Sequence, residues 1–264
     1  MNDRLSDYLP SAVRSGFRLD VIDELKLPPI RPRKATETEV ARLKGDWERL
    51  EIIGVKARHP ELALRYVEQA RRTLMRAYDL GERDPRLLAV IGLLFCDIGD
   101  DATARPHLEA AVADGVVRPR VYQELARIRF AEGRAAPAGD QGRLSEMQVR
   151  EVLVLLNQAR KQAPPLAGVY LLTGAVWGQS AVAPTRDELA VLGEGVRLHP
   201  HDLKMIFNAA VLYAHHGFTE EATAFLEQGL REAGDTPMQR SFERLRAALL
   251  ATPGKRGASP AGLE

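Results

Sequence analysis

From residue 37 to residue 250 the apolar positions recur at three- and four-residue spacing, the period of helices with one buried face. Small residues return inside that pattern at fixed places. Aligning the segments that begin at Pro85, Pro119, Ala167 and Leu203 puts a large apolar residue (Leu88, Tyr122, Tyr170, Ile206) four positions before a small one (Gly92, Ala126, Gly174, Ala210). A second column follows in each segment, where Leu108, Leu156, Leu192 and Leu226 stand three positions before Ala111, Ala159, Gly195 and Gly229. The spacings are 34, 48 and 36 in the first column and 48, 36 and 34 in the second. The chain therefore carries an internal repeat with a period of 34 residues and two insertions. The larger insertion falls between Gly133 and Val152, where Ala135–Gly142 is small, Gly- and Pro-containing and reads as a loop; the smaller lies near Ala181 to Thr185.

Each unit reads as two helices. A small residue on the first lets the second approach closely, and the apolar residues three and four positions away fill the seam. Gly99, Gly133 and Gly217 suit a left-handed helix end, Pro164 and Pro200 stop second helices, and Asp101 and Thr219 offer N-caps. The pattern predicts helices near 37–57, 60–80, 85–98, 101–114, 119–131, 144–162, 166–179, 185–198, 202–216, 219–233 and 237–250. The first pair carries Trp47, Leu50 and Ile53, then Leu64, Val67, Leu74 and Tyr78. The last helix, with Met238, Phe242, Leu245 and Leu249, reads as a cap over the final repeat.

Residues 1–35 differ. Three prolines in Pro28-Pro29-Ile30-Arg31-Pro32 exclude helix there, so the segment reads as an extended strap, preceded by Tyr8, Val13, Phe17, Leu19, Ile22 and Leu25. Those side chains need a surface to cover. Residues 251–264 are small and turn-prone and read as a disordered tail, which leaves residues 36–250 as the helical repeat domain.

These columns resemble the tetratricopeptide repeat family, whose unit is a helix-turn-helix of 34 residues with small residues at set positions; the likeness covers about residues 85–234. The resemblance implies an all-α, right-handed α-α superhelix of antiparallel helix pairs. It also implies a concave surface lined by first-helix positions, here Arg86, Ala89, Leu93, Arg120, Gln123, Arg127, Lys204, Phe207 and Val211. More loosely, the chain resembles the C-terminal repeat region of longer bacterial proteins that begin with a zinc-peptidase-like domain. That likeness implies a second role, a structural appendage docking onto such a catalytic domain.

Composition adds little field and less chemistry. With 37 Lys plus Arg against 36 Asp plus Glu, the formal charge is +1, so no global potential attracts nucleic acid or an anionic membrane. One cysteine, Cys96, excludes an internal disulfide framework and a multi-cysteine zinc site. No apolar run reaches the roughly 20 residues that span a bilayer, and the first residues lack the apolar core of a signal peptide, so a cytoplasmic location is expected. His199, His201, His215 and His216 cluster in pairs, but no carboxylate or cysteine stands at ligand spacing beside them, and no His-Glu-x-x-His helix occurs. Cys96, next to Phe95 on a helix, reads as an apolar filler without an identifiable base. Gly193-Glu194-Gly195 lies within a predicted helix and lacks a nucleotide loop's context.

The most unbalanced charge run is Arg118, Arg120, Arg127, Arg129 and Arg134, opposed within the segment only by Glu124 and Glu132. It is either a solvated helix face or a basic wall of the groove. The expectation is a non-catalytic scaffold, without cofactor or metal, that binds a protein or peptide segment, acidic in character, through Arg86, Leu93, Arg120, Gln123, Arg127, Lys204 and Phe207. Nucleic acid is not expected, because base-reading pairs and a stacking ladder are missing from the columns.

Overall fold

The computed structural model describes residues 36–135 and 143–251. Eleven helices follow one another in these residues: α1 (Glu37–Arg58), α2 (Pro60–Asp79), α3 (Pro85–Ile98), α4 (Asp101–Ala113), α5 (Pro119–Ala135), α6 (Glu146–Arg160), α7 (Ala167–Gly178), α8 (Arg186–Leu198), α9 (Leu203–His215), α10 (Thr219–Ala233) and α11 (Met238–Ala251). The proposed strap, with Tyr8, Phe17, Leu19, Ile22 and Leu25, lies outside the described residues, as do residues 252–264 of the tail and most of the Ala135–Gly142 loop.

From α1 to α9, each odd-numbered helix packs on the even-numbered helix that follows it, and also on the next odd-numbered helix. This pairing makes a solenoid of antiparallel helix pairs, in which one layer is built of first helices and the other of second helices. The small-residue columns explain how the layers approach. A Cβ on Gly92 of α3 would lie 2.5 Å from Leu108 Cδ2 of α4, one on Gly195 of α8 would lie 2.6 Å from Tyr170 Cγ of α7, and one on Gly229 of α10 would lie 2.1 Å from Phe242 Cε1 of α11. At each place only glycine leaves room for its neighbour. Two apolar clusters result. Ala41, Ile52, Ala70, Leu74 and Ala77 of α1 and α2 meet Leu87, Val90, Ile91 and Leu94 of α3; the larger cluster runs from Leu88, Ala89 and Leu93 of α3 to Phe242 of α11.

Helix ends follow local chemistry, with three corrections to the sequence reading. Asp100, not Asp101, caps α4, its carboxylate accepting from Thr103 N at 3.1 Å, while Asp101 is the first helical residue and turns its charge elsewhere. Thr219 is likewise already helical, and Phe218 precedes it without a side-chain cap. Gly99 and Gly217 do take positive φ at helix ends, 83° and 82°. Gly133 instead lies inside α5, where a Cβ would come 2.7 Å from Leu144 Cδ2, so it serves close packing and does not stop the helix.

The two insertions meet. Leu144, fully buried before α6, accepts a hydrogen bond from Ala181 N at 2.9 Å and donates its own N–H to Gln179 O at 2.8 Å. A single parallel bridge thus staples the loop ahead of α6 to the loop after α7, and capping boxes at Ser145/Gln148 and Thr185/Glu188 start the helices that follow.

Candidate partner-binding surface

The arginines of α5 do not form a free basic wall. Arg118 donates to Asp46 of α1 at 3.1 Å, and Arg120 to Asp97 of α3 at 2.5 Å. Arg127 bonds Asp101 of α4 at 2.8 Å and Glu124 at 2.7 Å, and Arg129 reaches Glu109 of α4 at 2.5 Å. Four acids from neighbouring helices thus join the two that the segment itself supplies. Asp97 is shared, because Arg49 of α1, 1 % exposed, donates to its other oxygen at 2.8 Å. Asp46, Arg49, Asp97, Arg120, Glu124, Arg127 and Asp101 therefore alternate in sign across α1, α3, α5 and the start of α4. The hydrogen bond from Arg127 holds the Asp101 carboxyl below its ordinary range, and the acids facing Arg127 raise the guanidinium's own value.

The remaining expected site residues are distributed unevenly. Arg86 and Lys204 are exposed. Leu93, expected to receive a partner's apolar side chain, is fully buried with Ala89, because α5 packs against that side of α3. Gln123 is half-buried and lies across from α7, close enough that a Cβ on Gly168 would come 2.5 Å from its Nε2. Phe207 is half-buried and meets Phe242 edge to face at 5.3 Å between centroids.

The repeat frame orders these positions into rows. Gln123 of α5, Leu171 of α7 and Phe207 of α9 occupy the same place in successive units, and so do Arg127, Ala175 and Val211. Along both rows the lining changes from polar and charged on α5 to small, aliphatic or aromatic on α7 and α9. Leu171, Ala175 and Phe207 remain only partly covered, and Val211 is 37 % exposed. Leu171 and Ala175 were missed in the sequence reading, although the offset from each unit's first residue marks them.

A second concavity lies between the second helices α6 and α8, where α7 forms the floor. Its volume is about 190 Å³, and Leu153, Asn157, Thr173, Trp177, Glu188 and Val191 line it. Beside it Tyr170 donates to Glu194 at 2.8 Å, and Arg160 bonds the same carboxylate. Burial, with Glu194 adding to it, pushes the Tyr170 hydroxyl up to about 12.

The cysteine and the histidine pairs that the sequence singled out are placed as follows. Burial, reinforced by the Glu124 carboxylate, pushes the Cys96 thiol up to about 12, the opposite of an activated nucleophile. The first histidine pair diverges, His201 bonding Glu232 at 2.7 Å and His199 lying against the Tyr170 ring, whereas the His215 and His216 rings pack edge to face on each other at 4.9 Å. No group of three or more His, Cys, Asp or Glu side chains among the described residues is arranged to hold a metal ion. No helix among them is long and apolar enough to cross a membrane.

No protein-family model matches the sequence, and no curated protein matches it in sequence. Solved structures do match the fold. The MamA protein aligns over 78% of this chain and 96% of its own, with a TM-score of 0.52 at 15% identity. PilF of Pseudomonas aeruginosa aligns over 81% of this chain and 87% of its own, also at 0.52 and 15%. A thermophilic TPR protein of Thermus thermophilus covers 78% of this chain and 100% of its own, at 22% identity and a TM-score of 0.46. For the first two, at 15% identity and a TM-score of 0.52, the likeness is one of fold, a tetratricopeptide-type helical-repeat solenoid.

Proposed function

Starting from a tetratricopeptide-type repeat fold, we propose that this chain is a non-catalytic protein-interaction scaffold whose first-helix face holds a peptide segment of a partner protein. The observation that carries the reading is the graded lining of the two inner rows, from Gln123 and Arg127 on α5 to Leu171, Ala175, Phe207 and Val211 on α7 and α9. Partly covered aliphatic positions at regular spacing suit apolar side chains of an extended or helical segment, and Gln123 offers both a donor and an acceptor at the row's other end. Charge contributes less than the arginine count suggests. An acidic segment must compete with Asp97, Asp101 and Glu124 for Arg120 and Arg127, whereas Arg86 and Lys204 are exposed to receive carboxylates directly.

The test uses peptides selected from a displayed random library against the full chain. Selected peptides should carry an apolar anchor, and Val211→Asp together with Leu171→Asp should weaken them about tenfold or more, the equivalent of roughly 1.4 kcal/mol. Charge reversal at Arg120 and Arg127, with helicity checked by circular dichroism, separates an acidic from an apolar mode of recognition. If every selected peptide binds the folded aliphatic and charge-reversed variants undiminished, the inner face is not the site.

A further inference from the structure

The two ends of the array are finished differently. At the C-terminal end the outward side of α11 presents Arg240, Glu243, Arg244 and Ala247 to solvent, with Leu250 exposed at the last turn, the largely polar finish that a terminal repeat needs. At the other end α1 exposes Val40, Leu43, Trp47 and Leu50, with 52 %, 58 %, 60 % and 49 % of their surface accessible. At 100° per residue these four fall within an arc of about 80°, centred about 150° from the side on which Ala41, Gly45, Glu48 and Ile52 are buried. Their outward side is therefore apolar along three turns of helix. Spacings of three, four and three residues make it the narrow seam of a coiled coil.

We propose that this seam is a dimerisation surface, and that the occupant is α1 of a second copy of the chain. The outer side of α11 carries Arg240, Glu243 and Arg244 and has Leu250 as its one large exposed apolar residue, so it offers no apolar stripe to match the seam, which disfavours head-to-tail stacking of one array's start on another's end. The seam does match itself. In an antiparallel pairing whose two-fold axis crosses the seam at the level of Gly45 along the helix, Val40 meets Leu50 of the second copy and Leu43 meets its Trp47, a relation that closes after two copies. The four side chains leave about 400 Å² of apolar surface exposed per copy, the size of the largest patch on a typical monomer and about half of what each partner contributes to a standard interface. The dimer is accordingly of moderate affinity, with a Kd on the order of 1–100 µM.

Sedimentation velocity of the full chain from about 1 to about 300 µM, together with acrylamide quenching of tryptophan, tests the pairing. Of the two tryptophans, Trp177 is 6 % exposed, so quenching reports mainly on Trp47. Sedimentation should shift from monomer to dimer across the range, with quenching falling in step, and Leu43→Glu should raise the Kd at least tenfold while leaving helicity unchanged. Leu250→Glu, on an exposed residue of α11, should leave the dimer intact. A chain monomeric throughout overturns the proposal. So does a dimer that survives Leu43→Glu, or a Trp47 already shielded from quencher at the lowest concentration, which places some other segment on the seam.

Discussion

Replacing Gly229 by alanine sets two physical effects against each other, so the sign of the result decides between them. Gly229 lies inside α10, where alanine is favoured over glycine by about 1 kcal/mol from helix propensity alone. The new Cβ, however, would lie 2.1 Å from Phe242 Cε1 and 2.4 Å from Cζ, and a planar ring cannot fold away as a flexible chain end can. Phe242 is fully buried and has Phe207 against it. Overpacking of this kind costs about 1–3 kcal/mol, so the net expectation is a loss of up to about 2 kcal/mol, each kcal/mol lowering Tm by about 2–4 °C. Gly193→Ala is the control, because its Cβ would meet only Phe225 Cζ at an ordinary 3.5 Å; it should stabilise by up to about 1 kcal/mol. Urea titrations followed by circular dichroism measure both. Phe242→Ala, itself expected to cost about 3–5 kcal/mol, vacates the space, so in that background Gly229→Ala should turn neutral or stabilising. If Gly229→Ala stabilises the otherwise unchanged protein as Gly193→Ala does, α10 and α11 do not approach each other as described.

Further outcomes follow from the charges and titrating groups. Asp97→Ala leaves the buried Arg49 with Asp46 at 3.4 Å as its remaining acidic partner among the described residues, and should cost about 2–3 kcal/mol in urea titration, whereas Arg105→Ala, whose pairs with Glu109 and Glu132 are solvent-exposed, should cost less than about 1 kcal/mol; equal costs would contradict the assigned burial. Cys96, with its thiol near 12, holds roughly one thiolate in ten thousand at pH 8, so iodoacetamide should label it far more slowly in the folded chain than in urea; comparable rates would refute the burial. Burial also lowers His107, stacked on Phe95, below its ordinary 6.5. The unfolded chain then binds the proton more readily, so this contribution is present above about pH 6.5 and is lost as the pH falls below it. His107→Gln should flatten the dependence of Tm on pH between about 5 and 7, and an unchanged slope would exclude the imidazole as its source.

What the amino-acid order determined by itself is local or periodic. Helix positions follow from three-and-four spacing, and the columns headed by Gly92 and Leu108 disclose the 34-residue unit because each unit must solve the same packing problem against its neighbour. Most of the inner rows were legible for the same reason, since an offset within a repeat fixes a face of a helix. Tertiary structure decided the rest, because stacking brings together side chains that no sequence window joins. Arg118 and Asp46 are 72 positions apart, and Arg120 and Asp97 are 23 apart, so a run of arginines on α5 reads as a basic wall until the helices beside it supply the acids. Leu93 has the right offset for the groove but is buried, because α5 closes over that side of α3. Gly133 is the residue type of a helix stop, yet Leu144, from the larger insertion, packs on it. Trp47 and Leu50 belong to an apolar stripe in the sequence, and only the placement of α2 and α3 on the opposite side of α1 turns that stripe outward. Periodicity tells which residues share a face of a helix; the packing of its neighbours tells which face is covered.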